Sequence, residues 1–225
     1  MDRYGSRPRQ EIKMLEYACG PGVISMTLAP FLTQVVGIDV SDKMVEEFNK
    51  NANVVDMSSR MTGYKADLLS EPAPQEFAGP EFSNFDVITI SMALHHFEHA
   101  DTALQKLAKR LKHGGACFII DLVPHIEKWG HGHDHSHGHS HDHADSHEHS
   151  HGHGPSHEQM IQREFGDAAH TVKTHGFSKD EMQKLFQDAG LSVKFDYKVL
   201  PEPLIFTKAG KTVEKTVFIA RAQLA

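Results

Sequence analysis

The sequence predicts an α/β domain built on a mostly parallel sheet with helices on both faces. Three observations predict it. Apolar strand-like runs alternate with helical patterns between residues 12 and 123, the signature of a sheet wound with helices. Two of those runs, FDVITIS and ACFIIDLV, are close to continuously apolar, as strands buried on both faces are. The last two strand-like runs follow one another with no helix between them, which predicts an antiparallel pair at one end of the sheet.

Each element can be placed in order. Ile12–Ala18 (IKMLEYA) reads as a short strand, punctuated by Gly20-Pro21-Gly22 and continued by a helix over Val23–Phe31. Gln34–Asp39 is a second strand. Ser41 then caps the helix DKMVEEFNKNA, with Met44, Val45 and Phe48 on one face. Thr62–Asp67 is a third strand, and Leu69–Pro80, with three prolines, is a loop. Phe85–Ser91 is the fourth strand. Asp101–Leu111 is an amphipathic helix with Leu104, Leu107 and Leu111 on its stripe, ended by Gly114-Gly115. Ala116–Val123 is the fifth strand. Beyond it lie a helix over Ser178–Ala189, with Met182, Leu185 and Phe186 inward, and two strands, Leu191–Val199 and Thr212–Ala220.

Composition narrows the function classes. A chain of 225 residues suits one α/β domain and can bury roughly 70–75% of its unfolded surface. The balance of 23 basic and 30 acidic residues gives −7, without a basic cluster, which argues against phosphate-mediated nucleic-acid binding. Cys19 and Cys117, far apart and in apolar surroundings, form no disulfide framework and fit a reducing, cytoplasmic setting. No apolar run reaches the ~18 residues of a membrane span, and the polar start MDRYGSRPRQ is no secretory signal. The expected partner is a small-molecule substrate; the sequence specifies no oligomeric state.

In open parallel sheets ligands bind beyond the carboxyl ends of the strands. The first strand ends in Glu16-Tyr17-Ala18-Cys19-Gly20-Pro21-Gly22, the second in Asp39, the third in Ala66-Asp67-Leu68, and the fourth in Ser91-Met92-Ala93-Leu94-His95-His96. Gly20 and Gly22 allow a tight turn and close approach of a ligand. Asp39 can accept from the vicinal hydroxyls of a ribose, and Asp67 from an adenine amino group. Each acid alone reads as a cap or turn residue; at successive strand ends, together, they read as a binding site. A nicotinamide dinucleotide calls for a third glycine where Ser25 stands. Glu16 instead suits a ligand carrying an amino group, as S-adenosyl-L-methionine does.

The segments LEYACGPG, VVGIDVS, KADLLS, FDVITISMALHHFEH, LKHGGACFIIDLV and HTVKTHGFSKDEMQKLFQDAGL resemble the successive motifs of class I S-adenosylmethionine-dependent methyltransferases. The branch is similar to the ubiquinone and menaquinone biosynthesis methyltransferases, with a fungal cast. The resemblance covers roughly residues 13–125 and 165–221. It implies a Rossmann-like seven-stranded sheet whose last strand is antiparallel. It also implies that Glu16, Cys19, Gly20 and Gly22 line the methionine part, that Asp39 holds the ribose with Val40 and Met44 beside the adenine, that Asp67 and Leu68 contact the base, and that Ser91 and Met92 form the floor. Ala18 departs from the family's glycine, a change of small consequence if its φ is negative. About a dozen residues precede the first strand, where the family carries one or two helices, so a more exposed cofactor is expected.

Methyl transfer from a sulfonium is an in-line displacement whose rate comes from alignment and exclusion of water. For a hydroxyl acceptor a base helps, and His95 and His96, at the end of the fourth strand, are the candidates; the competing reading is a packing and turn-entry role. Residues 130–158 form a separate expectation. Twelve histidines between His131 and His157 alternate with Gly, Ser, Asp and Glu. This composition has no apolar face and predicts a flexible insertion after the fifth strand. It would chelate zinc, nickel or copper adventitiously, with nothing to fix one geometry. Two other classes stay open: a methyltransferase-like fold that binds cofactor without chemistry, and a metal-buffering protein.

Overall fold

The computed structural model describes residues 11–124, 171–208 and 211–225. The chain divides into two units, residues 1–124 with 173–225, and residues 125–172. Every element below belongs to the first. The second lies outside the described residues except for 171 and 172, and the stretch predicted as a histidine-rich insertion lies there with it.

Seven strands make one sheet. They are β1 (Lys13–Tyr17), β2 (Gln34–Asp39), β3 (Met61–Lys65), β4 (Phe85–Ser91), β5 (Leu111–Leu122), β6 (Val193–Val199) and β9 (Val217–Gln223). The strand order is β3-β2-β1-β4-β5-β9-β6. The pairs from β3 through β5 are parallel. Strand β9 runs antiparallel to both β5 and β6, which is the predicted antiparallel end. The order reverses at β1 and β4, and their carboxyl ends open the crevice that such a switch creates.

Helices cover both faces. On one, α1 (Val23–Leu28), continued by a 3-10 turn over Ala29–Phe31, and α2 (Asp42–Val54) pack on Met14, Val35 and Met61. On the other, α3 (Ala100–Ala108) and α4 (Lys179–Asp188) pack on Leu15, Ile88, Ile90 and Ile119. Met14 and Leu15, neighbours on the central strand, are both fully buried, as a strand with two covered faces requires. Helix α2 starts where Ser41 predicts: its side chain accepts from the Met44 N–H at 3.4 Å. Helix α4 carries a capping box, with Ser178 and Glu181 satisfying each other's backbone N–H groups.

The tightest packing on the first face surrounds Phe48, whose ring is 0% exposed. A Cβ at Gly22, Gly37 or Gly63 would stand 2.7, 2.5 or 2.9 Å from that ring. The three glycines lie in the turn after β1, in β2 and in β3, so one aromatic ring seats against three elements. The next residue, Asn49, holds the same place: its Oδ1 accepts from the Gly63 N–H at 2.8 Å and its Nδ2 donates to the Gly63 carbonyl at 3.2 Å.

Two expectations are corrected. The helix predicted to run to Leu111 ends at Ala108, and the strand predicted from Ala116 begins at Leu111. Leu111 pairs with Phe85 and Ala116 with Val87, so residues 112–115 bulge out of register. Gly114-Gly115 therefore serve that bulge, where Gly114 has φ +74, rather than ending the helix. The strand predicted over Thr212–Ala220 is two strands. Residues Leu204–Lys208 (β7) and Lys211–Lys215 (β8) form a separate hairpin, and β9 starts after Thr216. Thr216 is held just beyond β5 instead, its carbonyl accepting from the Val123 N–H at 2.9 Å.

Where β5 ends, the chain on the far side of the second unit returns to it. Phe177 donates its N–H to the Leu122 carbonyl at 2.9 Å, and Lys173 and Thr174 donate theirs to the His95 carbonyl at 2.9 and 3.2 Å. Gly176, at φ +120, lies where any side chain would strike the Leu122 backbone.

Gly37→Ala tests the packing of Phe48. With the ring walled by two further glycines it cannot shift, so the extra methyl should destabilise by about 1–3 kcal/mol. A lower urea midpoint at unchanged denaturant slope is the expected result.

Candidate functional site

The carboxyl ends of β1, β2 and β3 are tied into one hydrogen-bonded rim. After Tyr17 the backbone turns sharply: Ala18, Gly20 and Gly22 have φ of 52, 50 and 84. The Cys19 N–H donates across to the Ile38 carbonyl at 3.1 Å, and the Gly22 N–H back to the Cys19 carbonyl at 2.9 Å. A Cβ on Gly20 would meet nothing within 4 Å, so this glycine is required by its φ and borders open space. Ala18 corrects an expectation. Its φ is positive, so a residue with a Cβ occupies a left-handed position, a strain on the order of 1 kcal/mol.

Asp39, at the end of β2, joins this turn to the cap of α2. Its Oδ2 accepts from the Gly20 N–H and its Oδ1 from the Ser41 N–H, both at 2.9 Å. Val40 beside it is exposed and Met44 half-buried. Asp67, after β3, has its Oδ1 doubly engaged, accepting from the Tyr17 hydroxyl at 3.0 Å and from the Leu69 N–H at 2.9 Å. Leu68 is buried in the core, and so is the side chain of Cys19. Of these two predicted site residues, the backbone alone is left for a ligand. The thiols of Cys19 and Cys117 are both pushed up by burial, that of Cys117 to about 12, so neither is a nucleophile near neutral pH.

The sequence sets Glu16 against a ligand's amino group. It is 2% exposed, and its Oε2 accepts from Ser25, both from the N–H at 3.0 Å and from the hydroxyl in a short bond. Ser25, which replaces a third glycine, thus satisfies a buried carboxyl from the first turn of α1. Burial raises the Glu16 carboxyl above the usual range, against the lowering effect of the Ser25 bonds. Thr89 pairs with Glu16 across β1 and β4, and among the described residues its buried hydroxyl has no hydrogen-bond partner.

At the end of β4, Ser91 and Met92 follow on, Met92 at φ 53 with its N–H donating to the Ile120 carbonyl at 2.8 Å. His95 does not stand open to the crevice, as the sequence suggested. It is 3% exposed, and its Nδ1 lies 2.6 Å from Asp121 Oδ1. Asp121 also accepts from the His95 N–H at 3.2 Å and the Leu122 N–H at 2.7 Å. The half-buried His96 ring sits 4.1 Å from that of His95. Asp121 and Tyr17 escaped the sequence reading. Each carried a signal: an acid within ACFIIDLV and a phenol within the first strand are polar groups in buried positions, which demand partners. Among the described residues no cluster of His, Cys, Asp or Glu is placed to hold a metal ion, and no helix is long and apolar enough to cross a membrane. The His131–His157 tract lies outside them.

Comparison with known proteins places the chain in a family. Residues 1–194 match the methyltransferase domain model, and the chain belongs to that family. An uncharacterised methyltransferase of Schizosaccharomyces pombe is 35% identical over 115 residues, covering 50% of this chain and 39% of the relative. A ubiquinone biosynthesis O-methyltransferase of Idiomarina loihiensis is 28% identical over 117 residues, covering 52% and 45%. The chain thus spans less than half the length of these relatives. Among solved structures, the YcgJ protein of Bacillus subtilis shares the fold with a TM-score of 0.61 at 16% identity, over 96% of this chain and 93% of that one. Magnesium protoporphyrin IX methyltransferase of Synechocystis, solved with bound SAH, does so at 0.53 and 15%, over 97% and 76%.

The buried Glu16 sets a pH dependence. A carboxyl whose folded pKa is raised stabilises the fold most below the unfolded carboxylate range, and that contribution is lost as pH rises through the folded value. Glu16→Gln removes the ionisation. The melting temperature of the variant relative to wild type should therefore climb as pH rises from about 4 towards 7. A constant or falling difference would show that burial does not dominate at Glu16.

Proposed function

We propose that this chain is an S-adenosylmethionine-dependent methyltransferase acting on a small-molecule acceptor. The observation that carries the reading is the rim itself, in which Asp39 is locked to the Gly20 turn by a 2.9 Å bond beside a second carboxylate, Asp67. Family membership supports it. The site fits the cofactor on its own chemistry. Both Asp39 oxygens keep a lone pair beyond their backbone donors and can accept from the two ribose hydroxyls. Asp67 offers the base its second oxygen, with Val40, Met44 and the Leu68 backbone around the ring. The open side of Gly20 leaves room for the ligand backbone, with Gly22 and the Cys19 backbone shaping the turn. The Thr89 hydroxyl next to Glu16, without a partner among the described residues, suits the amino-acid end. Ser91 and Met92 form the floor.

The bound cofactor supplies a methyl group already activated by its positive sulfur. The protein's part is to align the acceptor and exclude water. Asp121 engages the buried His95 at Nδ1, and the half-buried His96 ring packs on that of His95. For a hydroxyl acceptor, His96 takes the proton, with His95 and Asp121 as the positioning pair behind it. Two buried free cysteines support a cytoplasmic setting, and the net charge of −7 supports an acceptor other than nucleic acid.

Asp39→Ala should weaken S-adenosylhomocysteine binding at least ~10-fold by titration calorimetry, the loss of charge-assisted hydrogen bonds. Unchanged affinity would remove the ribose assignment, and tight NADH binding would favour a dehydrogenase. Asp121→Asn should leave that affinity within about twofold while turnover of a hydroxyl acceptor, found by panel screening, drops on the order of 100-fold. Equal turnover would return His95 to a packing role.

A further inference from the structure

Tyr17 is the last residue of β1, 4% exposed, with its ring edge-on to Phe97 at 5.9 Å and 76°. A phenol so placed needs a partner for its hydroxyl. It reaches past β2 to Asp67, 50 residues on, and donates to Oδ1 at 3.0 Å. The Leu69 N–H donates to the same oxygen at 2.9 Å. Two donors on one carboxylate oxygen fix the rotation of the group and so fix the direction of the other oxygen. Among the described residues no donor reaches Asp67 Oδ2. Burial and the neighbouring Asp67 charge hold the Tyr17 phenol above its usual range, so it stays a donor throughout the working pH range.

We propose that Tyr17 is a positioning residue for base specificity: by pinning Asp67 Oδ1 it aims Oδ2 at the exocyclic group of a purine and makes the site select a 6-amino over a 6-oxo base. The inference rests on the cofactor reading above. An adenine amino group donates to Oδ2. A hypoxanthine carbonyl in the same place sets lone pairs against a carboxylate that cannot turn away, which is rejection by an unmatched polar pair. Without the tyrosine hydroxyl the carboxylate is held by the Leu69 N–H alone, can rotate, and discriminates less.

The test is a set of calorimetric dissociation constants for S-adenosylhomocysteine and S-inosylhomocysteine with wild type, Tyr17→Phe, Asp67→Asn and the double variant. Tyr17→Phe keeps the ring on Phe97, and its melting curve checks folding. The expected result is a wild-type preference for the adenosyl ligand that falls about 3- to 10-fold in Tyr17→Phe. Asp67→Asn should lower the preference as well, and adding Tyr17→Phe to it should change nothing further. Because Asp67 lies beyond the strand, Asp67→Asn reads the preference even if Tyr17→Phe does not fold, and an unaltered preference in it overturns the proposal. Equal weakening of both ligands by Tyr17→Phe would reduce Tyr17 to a packing role. Equal wild-type affinity for the two ligands would overturn the inference and leave the cofactor reading standing. No wild-type binding of either ligand would remove both.

Discussion

The seat of Phe48 against Gly22, Gly37 and Gly63 is the contact on which the rest of the rim depends. Close-packed interiors leave no room to adjust such a seat. With glycines in place of side chains beneath the Phe48 ring, α2 lies low on the sheet. At the foot of that helix Asp39 accepts from the Ser41 N–H two residues on and is near enough to the turn after β1 to take the Gly20 N–H. A helix raised by one methyl group would carry that end of the rim away from the turn. The same seat explains two glycines in strand interiors, where glycine is otherwise a weak choice.

A second constraint concerns charge. Glu16, Asp39, Asp67 and Asp121 are each held by donors of the fold itself. A carboxylate fixed in advance need not be reoriented when a ligand arrives, and preorganised polar groups of this kind are where binding and rate are gained. In the methyltransferase reading the fold has already ordered the groups that meet the nucleoside. The strain at Ala18, Met92 and the adjoining turn belongs to the same economy, since left-handed backbone collects where a site over-determines it.

Much of this was legible in the sequence, for reasons that particular residues make plain. Central strands such as FDVITIS declare themselves because both faces are buried. Ser41 declares the start of α2 because its short hydroxyl competes for the first N–H groups. Asp39 and Asp67 could be placed at strand ends because the apolar runs stop there. Other features were hidden. Nothing local distinguishes glycines that end a helix from glycines that let β5 bulge, since both use positive φ. The hairpin β7–β8 escaped because no glycine or proline marks Thr216, where the chain passes from one sheet to the other; a long-range bond to Val123 decides it. The pairing of His95 with Asp121 and of Tyr17 with Asp67 joins residues 26 and 50 positions apart. Sequence could say that each polar group needs a partner, but topology chose which.

The clamp at Gly176 has a consequence for how this gene can vary. Leu122 and Phe177 are fastened to each other whatever lies between them. For a flexible connection the entropy of joining two fixed points rises with the logarithm of its length, so doubling it costs only about 0.6 kcal/mol. The clamp itself therefore sets no strict limit on how many residues separate Leu122 from Phe177, and variation in that number is a matter for the inserted residues and not for these bonds.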